Sequence, residues 1–187
     1  MIQTGTELEF GMNPASCNRS QLNKSRKTNG FQPPLRSALT VGERLASHET
    51  FMALALSESK KALPGCLPNP PVGCVLVRDG LAVSTGYTRA PGEYHAEADA
   101  LEKYSGPLSE LTAYVTLEPC SFHGRTPSCA DALIANGIKQ VVVALVDPDP
   151  RNNGQGLEKL RQAGVEVVQG IGVGEVSEFL EQYLGNS

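Results

Sequence analysis

Asp79-Gly80 separates two β-rich runs, "GCVLVR" and "LAVSTGY". An Asp-Gly pair in that setting is the strongest short hairpin signal a chain can carry, because a two-residue turn needs positive φ at both positions. Beyond this hairpin, helices and strands alternate. "HAEADALEKY" reads as a helix, "LTAYVTL" as a buried strand, and "CADALIANG" as a helix with a stop at Gly137. "KQVVVALV" reads as a second buried strand, "GLEKLRQAG" as a helix, "VEVVQG" as a short strand and "GEVSEFLEQYL" as a last helix. Ahead of the hairpin, "ERLASHETFMALALSESKKAL" has apolar residues at helical spacing and no internal Gly or Pro. A hairpin followed by alternating helices and strands implies an α/β fold: a mixed sheet of about five strands with helices on both faces. Ligand sites in such sheets lie beyond the carboxyl ends of the strands.

The sequence of 187 residues is long enough for one domain with a real core, and 40% hydrophobic with 19% charged residues fits a soluble globular protein. No apolar run reaches the roughly 18 residues that span a bilayer. The start, "MIQTGTELEFG", lacks the charged and apolar regions of a secretory signal. Five cysteines form an odd set without disulfide-like spacing, which favours a reducing compartment and metal or catalytic roles. The expected location is cytoplasmic, with organellar targeting as the weaker reading.

Residues 1–42 differ from the rest. They are polar and aperiodic and end near a Pro-Pro pair, so they read as a flexible arm, with the folded domain at 43–187. The arm holds five basic and two acidic residues (+3), leaving 11 basic and 18 acidic (−7) for the domain. A domain at −7 is a poor binder of nucleic acid, whose affinity comes largely from neutralised phosphates. A small phosphorylated ligand needs only one or two local cations.

The chemistry concentrates in four residues. His95 and Glu97 open one predicted helix, Cys129 opens the next, and Cys120 ends a strand. Helix N-termini are electropositive and favour thiolate. Two thiolates and an imidazole make three zinc ligands and leave a tetrahedral position open. A carboxylate two residues from the histidine can reach a water there without binding the metal. That set suits hydrolytic deamination, with Glu97 moving the protons. "HAE" matches the first half of the zinc-deaminase pattern and "PC" opens the second, but the next cysteine comes nine positions on (120 to 129) rather than three. Taken singly, Glu97 could be a dipole-stabilised helix-start carboxylate, Asn69 a turn residue, and Arg125 a solvated charge. Cys66 and Cys74 read as packing residues. His48 reads as a helix-start residue and Cys17 as an incidental thiol. His123 is undecided between ligand contact and loop ordering.

The wide cysteine spacing, with "PNPPVGCVLVRDG", "PGEYHAEADAL", "AYVTLEPCSFHGRTPSCADALI" and "VVVALVDPDP", resembles the deaminase domain of the bifunctional riboflavin-biosynthesis deaminase/reductase. The resemblance covers roughly residues 48–183 and stops short of a reductase domain. It implies a three-layer α/β/α cytidine deaminase-like fold and one zinc per chain on His95, Cys120 and Cys129, with Glu97 as proton carrier. The implied substrate is a diaminopyrimidinone ribosylamino 5′-phosphate. Asn69 matches a substrate-contacting asparagine and Arg125 a basic position near the ribose phosphate. The family usually has histidine where this chain has Thr88, Asp99 and Phe122. These departures leave the metal chemistry untouched and fall on substrate-facing positions. They keep a second reading open, a deaminase retuned to another nucleobase or nucleotide. A third is a zinc-stabilised binding module without catalysis, against which the intact Glu97 argues. The expected partner is a small aminopyrimidine or nucleotide, with neither nucleic acid nor membrane. A homo-oligomer and a separate reductase remain open.

Overall fold

The computed structural model describes residues 41–123 and 127–184. Helix α1 (Val41–Lys61) leads into the hairpin β1 (Gly73–Arg78) and β2 (Leu81–Tyr87). Then come α2 (Ala96–Glu102), β3 (Thr112–Leu117), α3 (Cys129–Ala135), β4 (Gln140–Leu145), α4 (Gln155–Gln162), β5 (Glu166–Gln169) and α5 (Val173–Leu180). A short 3₁₀ turn, Glu181–Tyr183, succeeds α5. The arm expected at 1–42 lies outside the described residues, except that Val41 and Gly42 already belong to α1. None of the described helices is long and apolar enough to cross a membrane.

The five strands form one sheet in the order β2-β1-β3-β4-β5. β1 runs antiparallel to β2 and β3, whereas β3, β4 and β5 are parallel. The hairpin turn is where the sequence places it: Asp79 and Gly80 have φ of 53° and 78°. Gly137 takes φ 69° just past α3 and closes that helix. β3 and β4 are buried almost throughout, as their unbroken apolar runs require of strands covered on both faces. β2, at the edge, begins with three exposed residues.

Two cores sandwich the sheet. On one face Met52, Ala55 and Leu56 of α1 meet Val75, Tyr114 and Val142, and Val176 and Leu180 of α5 complete the layer. On the other, Ala96 and Ala100 of α2, Ala130 and Leu133 of α3, and Leu157 and Leu160 of α4 cover Cys74, Val115, Val141 and Val143. The fold is therefore the expected α/β/α sandwich. The crossovers β3-α3-β4 and β4-α4-β5 put their helices on one face, as two right-handed crossovers advancing in one direction along a sheet must. With β1 antiparallel to β3, the start of β1 and the ends of β2, β3 and β4 all open at one edge.

Close packing holds α2 to that edge. A Cβ on Gly86, in β2, would lie 2.2 Å from the Ala96 carbonyl oxygen and 2.4 Å from the Ala100 nitrogen. Backbone on both sides cannot yield, so this glycine sets how near the helix carrying Glu97 comes to the sheet. Gly86→Ala is expected to destabilise the fold by about 1–3 kcal/mol through overpacking. Gly174→Ala, in α5 with open space around the added methyl, is expected to stabilise by about 0.5–1 kcal/mol. Urea unfolding of both variants checks the contrast; equal effects would show that the Gly86 contact sets nothing.

Candidate active site

Three elements deliver the cluster expected from the sequence. His95 is the N-cap of α2, in extended backbone with φ −73° and ψ 168°. Cys129 is the first residue of α3, whose N-cap Ser128 accepts the Asp131 N–H at 3.1 Å. Cys120 lies just past the end of β3. The Nδ1 of His95 lies 3.4 Å from Cys129 Sγ and 3.8 Å from Cys120 Sγ. All three candidate ligand atoms fall within 4.8 Å of one another. Tetrahedral zinc with bonds of about 2.0–2.1 Å to nitrogen and 2.3 Å to sulfur would set an N···S distance of about 3.6 Å. The two observed distances straddle that value, so the residues fit the ion.

The electrostatics agree with the geometry. The Cys129 thiol shares its proton with Cys120 and, with His95 and the Cys129 N–H at 3.2 Å, holds the Cys120 thiol well below its ordinary value. The same sharing, with burial, pushes Cys129 well above its own. Two thiolates this close do not coexist without a cation between them. The hydrogen bond to Cys120 raises His95. Glu97, on the first turn of α2, is buried, and burial, with the Cys120 charge, pushes its carboxyl up to about 6. It also faces the Cys129 thiol.

A cavity of about 540 Å³ opens over this cluster and is lined by His95, Glu97 and Cys120. Of the other residues expected at a site, Asn69, Thr88 and Phe122 line the same cavity. Thr88 spends its hydroxyl on the Val72 backbone, accepting the Val72 N–H at 3.0 Å. Phe122 carries the Arg151 guanidinium 4.9 Å above its ring. Arg125 lies outside the described residues. Asp99 is placed elsewhere: it lines a separate shallow depression with Arg89 and Tyr94. Its carboxylate is buried and accepts from Arg89 Nε at 3.0 Å, Lys103 Nζ at 2.6 Å and the Tyr87 N–H at 3.1 Å. Burial alone would raise Asp99, but these donors hold it below the ordinary carboxylate range. An acid at 99 therefore works as a clamp between α2 and β2, with its charge matched locally. His123 is exposed.

Sequence reasoning missed Glu118. The residue is buried, and its carboxylate accepts four backbone N–H groups. Oε2 takes Asp147 at 3.1 Å and Gly154 at 2.8 Å, while Oε1 takes Gly156 at 2.8 Å and Leu157 at 3.3 Å. Gly154, Gly156 and Leu157 supply orphan donors at the start of α4, and Asp147 lies just past the end of β4. Gly156 lets this turn close, since a Cβ there would sit 2.0 Å from the Pro119 carbonyl oxygen. Asp147, Asp149 and Arg151, in the loop so gathered, also line the cavity. The available signal was "LEPC" itself, an acid directly before the proline and cysteine, together with a Gly-rich helix start in "NNGQG".

The chain matches the family of the cytidine and deoxycytidylate deaminase zinc-binding region over residues 45–145, and it belongs to that family. It is 46% identical over 136 residues to the riboflavin biosynthesis protein RibD of Escherichia coli (strain K12), a match covering 73% of this chain and 37% of that protein. It is 41% identical over 121 residues to the diaminohydroxyphosphoribosylamino-pyrimidine deaminase of Buchnera aphidicola subsp. Schizaphis graminum, covering 65% of this chain and 82% of that one. Among solved structures, the diaminohydroxyphosphoribosylaminopyrimidine deaminase/5-amino-6-(5-phosphoribosylamino)uracil reductase of Thermotoga maritima is similar, with TM-score 0.71 and 43% identity over 75% of this chain and 41% of that one. The chain thus spans under half the length of the Escherichia coli and Thermotoga maritima proteins.

Removing the Glu118 carboxylate leaves four donors without their acceptor, those of Gly156 and Leu157 buried and those of Asp147 and Gly154 half-buried, so Glu118→Ala is expected to cost at least about 3 kcal/mol. Glu118→Gln keeps one acceptor oxygen but turns an amide NH₂ toward donors, and should also lose at least about 1.5 kcal/mol. Denaturant midpoints of the two variants test this. A loss under about 1 kcal/mol in Glu118→Ala would mean the four contacts do not hold the loop.

Proposed function

We propose that this member of the zinc-binding deaminase family hydrolytically deaminates an aminopyrimidine nucleotide. The specific substrate we assign is the diaminopyrimidinone ribosylamino 5′-phosphate of riboflavin biosynthesis. One observation carries the reading: a buried carboxylate, Glu97, lines the same cavity as His95 and Cys120, which with Cys129 form a His-Cys-Cys set spaced for a tetrahedral ion. A purely structural zinc does not need a buried acid beside it. The similarity to riboflavin-pathway deaminases supports the choice of ring and sugar phosphate.

His95, Cys120 and Cys129 hold one zinc per chain in this reading. When bound, zinc supplies a Lewis acid that brings the pKa of water to about 7. Glu97 then does the proton work. It accepts a proton from the attacking water as the new C–O bond forms at the ring carbon bearing the amino group. It passes that proton to the ring nitrogen, then carries the remaining proton of the added hydroxyl to the amine as the C–N bond breaks and the new C=O forms. Water and aminopyrimidine become ammonia and the corresponding carbonyl compound. Burial excludes bulk water from Glu97, so the proton stays between carboxylate and substrate. Cys129 N–H fixes the Cys120 sulfur, and the Ser128 cap fixes α3 beneath it.

A second reading, a related aminopyrimidine nucleotide as substrate, is favoured by one observation. Thr88 has its hydroxyl committed to Val72, and Phe122 offers a ring. Neither gives the mobile charged donor that imidazole would.

Cys120→Ser and Cys129→Ser are expected to lose the zinc that the parent chain holds at about one equivalent, as read by metal analysis after gel filtration. Full retention in both would sink the ligand assignment. Glu97→Gln is expected to keep zinc and fold while kcat for ammonia release falls by at least about 10²–10⁴-fold. Turnover near that of the parent in the zinc-loaded variant would remove Glu97 from the mechanism.

A further inference from the structure

The cavity is long on acids. Glu97, Glu118, Asp147 and Asp149 all line it, and Arg151 is its one Arg or Lys among the described residues. A phosphate ester calls for a cation, and the setting of Arg151 on that wall offers one. This step rests on the proposed reading that the substrate is a nucleotide.

The segment Asp147-Pro148-Asp149-Pro150-Arg151 is built as a ladder. The Asp149 N–H donates to Asp147 Oδ1 at 3.0 Å, and the Arg151 N–H donates to Asp149 Oδ1 at 2.9 Å. These are two Asx turns in succession, with a proline of fixed φ inside each. The Asp147 carboxylate accepts from Asn152 Nδ2 at 3.3 Å, and the fully buried Asn152 accepts the Ser121 N–H at 2.9 Å. The ladder is thereby sewn to the loop that carries Cys120 and Phe122. At its top, Arg151 donates through Nε and Nη2 to Asp149, with Nε at 3.0 Å. Its guanidinium lies over the Phe122 ring at 4.9 Å.

Asp149 thus holds one edge of the guanidinium and Phe122 supports it from below, leaving the Nη1 donors for a ligand. An exposed ion pair by itself adds little stability. Two prolines, two aspartates and a ring are arranged here to aim a cation, which is what recognition of a phosphate requires. We infer that Arg151, aimed by Asp149 and seated on Phe122, is a specificity-determining contact for the phosphate ester of the substrate.

The test uses the full, zinc-loaded chain and two substrates, the aminopyrimidine 5′-nucleotide and its dephosphorylated riboside. Arg151→Ala is expected to raise KM for the nucleotide at least tenfold while leaving kcat within about twofold and the riboside KM unchanged. Arg151→Lys keeps the charge without the fork and should fall between. Equal changes for both substrates, or none, overturn the inference. Should the parent chain release ammonia from neither compound, the functional reading fails separately. Calorimetric binding of ribose 5-phosphate then decides Arg151. Binding by the parent and at least tenfold weaker binding by Arg151→Ala support the inference; no binding by the parent, or equal binding by both, overturns it.

Discussion

The carboxylate of Glu118 is the tie on which the candidate site depends. It sits buried just past β3, between the strand and Cys120, and accepts four N–H groups from the segment that leaves β4 and starts α4. A negative charge is costly to bury unless donors surround it, and unpaired donors at a helix start are costly in turn. Each cancels the other here. The consequence is geometric. The loop after β3, which carries Cys120 and Phe122, and the loop after β4, which carries Asp147 and Arg151, become one wall over the ends of the parallel strands. Asn152 and Gly156 add the second and third fastenings, through Ser121 and Pro119.

The other side of the cavity is fixed by a different clamp. Asp99 draws Arg89, Lys103 and the Tyr87 N–H together behind α2. Arg89 also stacks on Tyr87 at 4.0 Å, and its N–H donates to the Tyr94 carbonyl at 2.9 Å, one residue before His95. The loop that leads into the ligand histidine is thereby held from behind. An aspartate at this position brings its own cations, so its charge is answered away from the cavity. Thr88 and Phe122, by contrast, line the cavity and are uncharged.

Much of this was legible in the sequence because it rests on local rules. Asp79-Gly80 marks its turn by backbone preference, Gly137 its helix stop, and the apolar runs of β3 and β4 their burial. His95, Glu97, Cys120 and Cys129 could be grouped because their residue types leave few other chemistries. Glu118 and Asn152 could not be read this way. The groups that donate to their side-chain oxygens lie 29 to 39 and 31 positions along the chain and are backbone N–H groups, which every residue but proline owns. Asp99 was expected beside the substrate from its position alone. Its side chain points to Arg89, just past β2, and Lys103, at the end of α2, and side-chain direction is set by packing that the motif does not encode.

The central claim is that Glu97 and the His-Cys-Cys set add water to an aminopyrimidine carbon and expel its amine. Incubation of the zinc-loaded chain with the diaminopyrimidinone ribosylamino 5′-phosphate in ¹⁸O-labelled water tests it most directly. The account predicts one ammonia released for each product molecule, and one ¹⁸O in the new carbonyl of that product by mass spectrometry. Ammonia without label in the ring, or no ammonia from this or any related aminopyrimidine nucleotide, would contradict it.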